Sequence, residues 1–166
     1  MSDTAPATCD RQKGFLRTEE RLVGAIVRSP ALTVLQVAGF INSQDDLDGP
    51  ARIILSAAID LAQVGISPTP EFVIDELRRS GQLDRRTACW LACATAHCTP
   101  PGSVRRYAAM VVAASLRRRV RNWSTTLASL AETGSETDLA VTTEVVATKI
   151  AEGFERLRFL RQCTDG

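Results

Sequence analysis

Apolar residues recur along this chain at helical spacing, and no stretch shows the apolar–polar alternation of a half-buried strand. From Thr18, the run TEERLVGAIVRS puts Leu22, Val23 and Ile26 on one face. Glu19 and Glu20 sit in its first turn, where they complement the helix dipole, so a helix is predicted to about Arg28. Ser29-Pro30 predicts a cap and a first-turn proline for a short second helix, Ala31–Ala38. The stretch from Asn42 to Gly49 reads as a polar loop, with Asp45, Asp46 and Asp48 as solvated or capping groups. Pro50 then opens a helix whose broad apolar face is Ile53, Ile54, Ala57, Ala58, Leu61 and Ala62, stopped by Gly65. The segment ISPTP cannot continue a helix, because each proline restrains the residue before it. Thr69-Pro70-Glu71 starts the next helix, Gly81 ends it, and Asp84 caps a fifth to about His97.

The sharpest break is Thr99-Pro100-Pro101-Gly102, and the pattern changes after it. Ser103 is placed to cap a helix running to about Glu132 with no internal Gly or Pro. Thr133-Gly134-Ser135 turns the chain, and a second long helix is predicted over Asp138–Gln162, tolerating Gly153. The fold class is therefore all-α: a compact bundle of about five short helices over 15–98, then a long antiparallel helical hairpin over 99–166. Residues 1–14 lack periodicity and read as a flexible tail. On the hairpin, Leu116, Val120, Trp123, Leu127 and Leu130 follow a four–three–four–three spacing, the a/d seam of paired helices. Val146, Ile150, Phe154, Leu157 and Leu160 give a less regular stripe on the returning helix. The two stripes either bury each other fully or leave apolar surface for a second copy, since two helices alone cannot cover both flanks of a tryptophan.

Composition narrows the functional classes. At 166 residues, 45% hydrophobic and 23% charged, the chain has the make-up of one globular domain. It contains no run of the roughly 20 apolar residues that a membrane span needs, and its first 13 residues have no apolar signal core, so a cytoplasmic setting is expected. A net charge of +1 gives no global basic field for nucleic acid. Arginine nonetheless supplies 18 of the 20 basic residues, and Arg105, Arg106, Arg117 and Arg121 lie along one predicted helix. That strip either pairs with Glu144, Glu152 or Glu155 of the returning helix or contacts an acidic partner or DNA phosphates.

Catalytic chemistry finds little footing. His97 is the single histidine, and no Ser, Thr or Cys stands in a nucleophile-elbow context. Cys89, Cys93 and His97, at i, i+4 and i+8 with Cys98 adjacent, share a helix face that is in principle able to bind zinc. Metal sites usually join two chain segments, and buried cysteine behaves as a small hydrophobe, so core packing is the expectation and no metal or cofactor is assigned. Five cysteines at irregular spacing, with Cys9 and Cys163 near the ends, fit reduced thiols better than a disulfide framework.

Three segments together carry a resemblance. TEERLVGAI (18–26) resembles the opening helix of the N-terminal domains of DnaB-type replicative helicases. RIILSAAIDLAQVGISPTPEFVIDELRRSGQLD (52–84) is similar to that family's succession of helix, glycine-containing turn, helix and Gly-x-Leu. TPPGSVRRYAAMVVAASLRRRV (99–120) resembles its proline-rich turn, Tyr-Ala step and arginine-bearing hairpin helix. The likeness covers 18–162, with two departures. Asp45-Asp46-Leu47 lacks the family's aromatic residue, and Arg86-Thr87-Ala88 stands where a glycine pair is usual. The family's helicases continue into a RecA-like motor, yet this sequence has no G-x-x-x-x-G-K-[ST] and not even a Gly-Lys pair. The resemblance thus implies a non-catalytic replication module, akin to the helicase collar, that binds helicase, primase or loader and self-associates. The alternatives are a small α-helical DNA-binding regulator using the Arg105–Arg121 strip, or a helicase fragment with no independent role.

Overall fold

The structure, a computed structural model, describes residues 18–96 and 99–162. The tail over 1–14, Cys9, His97, Cys98 and Cys163 lie outside the described residues. Every regular element among the described residues is helical, in the order α1 (Thr18–Ile26), α2 (Ala31–Ala38), α3 (Ser43–Asp46), α4 (Gly49–Gln63), α5 (Pro70–Arg79), α6 (Arg85–Ala96), a 3₁₀ turn (Pro101–Ser103), α7 (Val104–Thr133) and α8 (Glu136–Gln162). Among the described residues no helix is long and apolar enough to cross a membrane.

The boundaries follow local chemistry, with some corrections to the sequence expectations. Thr69 caps α5 by accepting from the Phe72 N–H, with Pro70 in the first turn. Asp84 caps α6: its carboxylate accepts from the Thr87 N–H at 2.6 Å. The Thr87 hydroxyl and then that N–H hold the Asp84 carboxyl below its ordinary pKa, because both bond the charged form. Ser29 is not the cap of α2. Pro30 takes that position without a side-chain bond, and the Ser29 hydroxyl donates back to the Ala25 carbonyl at 2.8 Å. Ser103 makes no capping bond to α7 either; its hydroxyl donates to the Pro100 carbonyl within the 3₁₀ turn. At α8 the helix begins at Glu136, before the expected Asp138, because Ser135 accepts from the Asp138 N–H at 3.1 Å.

The core lies where α1 crosses α6 and α7 and where α4 packs on α2, α5 and α6. Leu22, Ile26, Ile54, Leu55, Leu77 and Leu91 are sealed from solvent there. Gly24 permits the closest approach: a Cβ at that position would stand 2.5 Å from the Ala94 carbonyl oxygen of α6. The first third of α7, from Val104 to Val112, belongs to this same core. Only the remainder of α7 and its partner half of α8 stand apart as an arm.

Candidate interaction surface of the helical hairpin

The joint between bundle and arm is a buried carboxylate. The stretch over 42–49 was expected to be a solvated loop; instead Asn42 accepts from the Gln44 N–H and starts the short helix α3. Leu47 behind it is fully buried and joins the core. Asp46, expected in solvent, is sealed with its side chain at 0% exposure. Its Oδ1 lies 3.2 Å from a guanidinium nitrogen of Arg119 on α7, and its Oδ2 lies 2.9 Å from one of Arg156 on α8. The Asn42 N–H donates to the same Oδ2 at 3.0 Å. Around this centre Arg119 also approaches Asp45 at 3.5 Å, Arg118 approaches Asp48 at 3.3 Å, and the Ser115 hydroxyl donates to the Asp45 carbonyl. One short acidic helix therefore holds an arginine from each arm helix, which fixes the arm's register and direction on the bundle. The Nε of Arg119 is buried without a hydrogen-bond partner among the described residues, while its guanidinium carbon lies 5.8 Å from the centre of the Trp123 ring.

The arm's seam is regular, and glycine makes it so. Phe154 does not enter it; the ring is 55% exposed. Gly153 takes the seam position, and a Cβ there would stand 2.8 Å from Leu116 Cδ1. The inner face of α8 then reads Val146, Ile150, Gly153, Leu157, Leu160, a four–three–four–three spacing matching that of α7. Of the seam residues on α7, Leu116 is buried, whereas Val120, Trp123, Leu127 and Leu130 are half-buried. On α8, Val146 is the one buried residue before Gly153. Val141 and Val145, at 57% and 53% exposure, face solvent beside it.

The four arginines expected to form one strip divide. Arg105 turns toward α2, with its guanidinium 3.5 Å from the Gln36 amide oxygen. Helical spacing places Arg106, Met110, Arg117 and Arg121 together on another side of α7, and all four are exposed. The expected pairing with Glu144, Glu152 or Glu155 does not occur for Arg117 and Arg121. Among the described residues Glu152 pairs with Lys149 and Glu155 with Arg158. Arg118, Arg119 and Arg156 instead reach across to acids of the bundle, all at 45–48.

Cys89, expected to pack in the core, is exposed instead, and Cys93 is half-buried. The described residues contain no group of three or more His, Cys, Asp or Glu side chains placed to hold a metal.

No protein-family model matches the chain, and no curated protein matches it. Solved structures do. The crystal structure of the N-terminal domain of DnaB helicase from Mycobacterium tuberculosis superposes with a TM-score of 0.64 at 22% sequence identity, over 81% of this chain and 95% of that one. The fold expected from the sequence, a helical bundle with a long hairpin in the manner of that domain, is the fold observed.

Proposed function

We propose that this chain is a non-catalytic binding module of the replication machinery, a collar-like unit whose arm engages other proteins. The observation that carries the reading is the arm itself: a two-helix projection with Trp123, Leu127 and Leu130 half-exposed and Val141 and Val145 in solvent. A pair of helices without a third layer leaves apolar surface that association would cover. The shared fold with the N-terminal domain of DnaB helicase supports this reading; the partner in it is helicase, primase or loader, met in the cytoplasm and without a cofactor. Self-association into a dimer or higher oligomer uses the same arm. A DNA-binding regulator is the weaker reading, since the net charge is +1 and, within the Arg105–Arg121 strip, Arg118 and Arg119 are spent on Asp45, Asp46 and Asp48.

Light scattering on a sizing column tests this, with the protein alone and then mixed with the replicative helicase and primase of the same organism. The expected result is a mass above the 18.0 kDa monomer, a joint peak with one partner, and loss of assembly in the double variant Val141→Glu/Val145→Glu. A monomer that joins neither partner overturns the reading.

A further inference from the structure

The displacement of Phe154 from the seam leaves a feature that self-association through Val141 and Val145 does not use. Helical periodicity puts those valines on the opposite flank of α8 from Phe154 and Arg161. On the Phe154 flank, between α7 and α8, runs a groove of about 470 Å³. Val120, Phe154 and Leu157 supply apolar walls, and Arg117, Arg121 and Arg161 stand at its edges with no acidic residue among its lining. Along α7 the same side continues through Met110, 46% exposed, to Arg106. The guanidiniums of Arg117 and Arg121 have no hydrogen bond or ion pair among the described residues, in contrast to Arg118 and Arg119 between them.

We infer that this groove is a docking site for an acidic amphipathic helix of a partner protein, laid along the arm with its apolar face on Phe154 and its carboxylates on the arginine edges. A helix is the element that fits. Its i, i+3, i+4, i+7 apolar stripe matches a channel lined by residues one turn apart on α7. The acid comes from charge complementarity: a site where Arg117 and Arg121 are unpaired and no carboxylate lines the walls favours a negative occupant and repels a basic one. Nucleic acid is disfavoured, because the single exposed ring of Phe154 offers little stacking platform and the other apolar walls are aliphatic. A second copy is disfavoured because the valines that would recruit it lie on the other flank. The inference goes beyond the collar reading, and it holds whether or not the partner belongs to replication.

Fluorescence anisotropy tests it with a labelled synthetic peptide of roughly 15 residues bearing Leu and Phe at i, i+3, i+4 and i+7 and Glu along both edges. The wild-type chain is expected to bind this peptide, less tightly as salt rises. It should not bind a scrambled peptide of the same composition, or one with Lys for Glu. Arg117→Glu/Arg121→Glu and, separately, Phe154→Ser should each weaken binding by about tenfold or more, with helix content by circular dichroism unchanged because all three side chains are exposed. No binding by the wild-type chain overturns the proposal. Equal binding of the scrambled peptide reduces it to bare charge and does the same. A labelled single-stranded oligonucleotide that binds where the peptide does not assigns the groove to nucleic acid. A change of oligomeric state in Arg117→Glu/Arg121→Glu assigns it to a second copy. The Val141→Glu/Val145→Glu protein separates this proposal from the collar reading: it should lose assembly and keep the peptide.

Discussion

The bundle and the arm are built from the same element and held in opposite ways. In the bundle, Leu22, Ile26, Ile54, Leu55, Leu77 and Leu91 are each sealed at 1% exposure or less, and each contributes roughly 1.5–3 kcal/mol by leaving water. In the outer arm the apolar residues of α7 beyond Leu116 are half-buried at best. That part of the hairpin draws its stability from pairing with one neighbour and from its anchorage. The contrast assigns the work: the bundle sets the position, and the arm presents surface. Asp46 is where the two meet.

The largest expected effect comes from breaking that joint. In Asp46→Ala, Arg119 and Arg156 lose the carboxylate they share and keep most of their desolvation, so the loss is about 3–5 kcal/mol. For a chain of this size that lowers Tm by about 10 °C. A variant that melts like the wild type would mean the seam alone fixes the arm. A matched pair of glycine substitutions then probes how far each region can yield. Gly24→Ala drives a methyl group to 2.5 Å from a backbone carbonyl of α6, which can move only with its helix, so it should cost about 1–3 kcal/mol in denaturant titration. Gly153→Ala meets the end of the Leu116 side chain at 2.8 Å. That contact can rotate away, and the gain of about 1 kcal/mol in helix propensity offsets it. The arm variant should therefore stay close to wild-type stability. Equal losses at both glycines would erase the distinction between a rigid bundle and a yielding arm.

What the sequence makes legible is set by the range of the interactions involved. Thr69-Pro70, Asp84 and the Pro-Pro-Gly over 100–102 act within a few residues, and the helices start and stop where they predict. The seam of α7 is equally local, because heptad spacing is written in side chains. Asp46 is another matter. A carboxylate in Asn-Ser-Gln-Asp-Asp reads as solvated, since burying it is tolerable only with counter-charges at 119 and 156, far beyond any local rule. Gly153 escapes for the opposite reason: an apolar stripe is sought among apolar side chains, and a seam position filled by Leu116 from across the hairpin carries none. Phe154, next in sequence, takes the place by default, and the docking groove stays hidden with it. A strict continuation of the four–three spacing from Leu160 and Leu157 would have landed on Gly153.

The most diagnostic effect lies at Trp123. Stepping seven residues outward from the Leu116–Gly153 contact on each helix brings Trp123 level with Val146, the last buried residue of α8 toward the tip. A fully buried tryptophan would cost about 3–5 kcal/mol to truncate. This ring is half-buried, with one face toward Arg119. Trp123→Ala in the monomer should therefore cost only about 1–2 kcal/mol, from roughly half the area term and a partly exposed cation–π contact. Measured at rising protein concentration, the penalty should grow if association buries the exposed half, because the wild type then gains stability by mass action that the variant lacks. A cost of 3–5 kcal/mol at the lowest concentration would show that the arm has a complete core of its own. It would then need no partner to finish it.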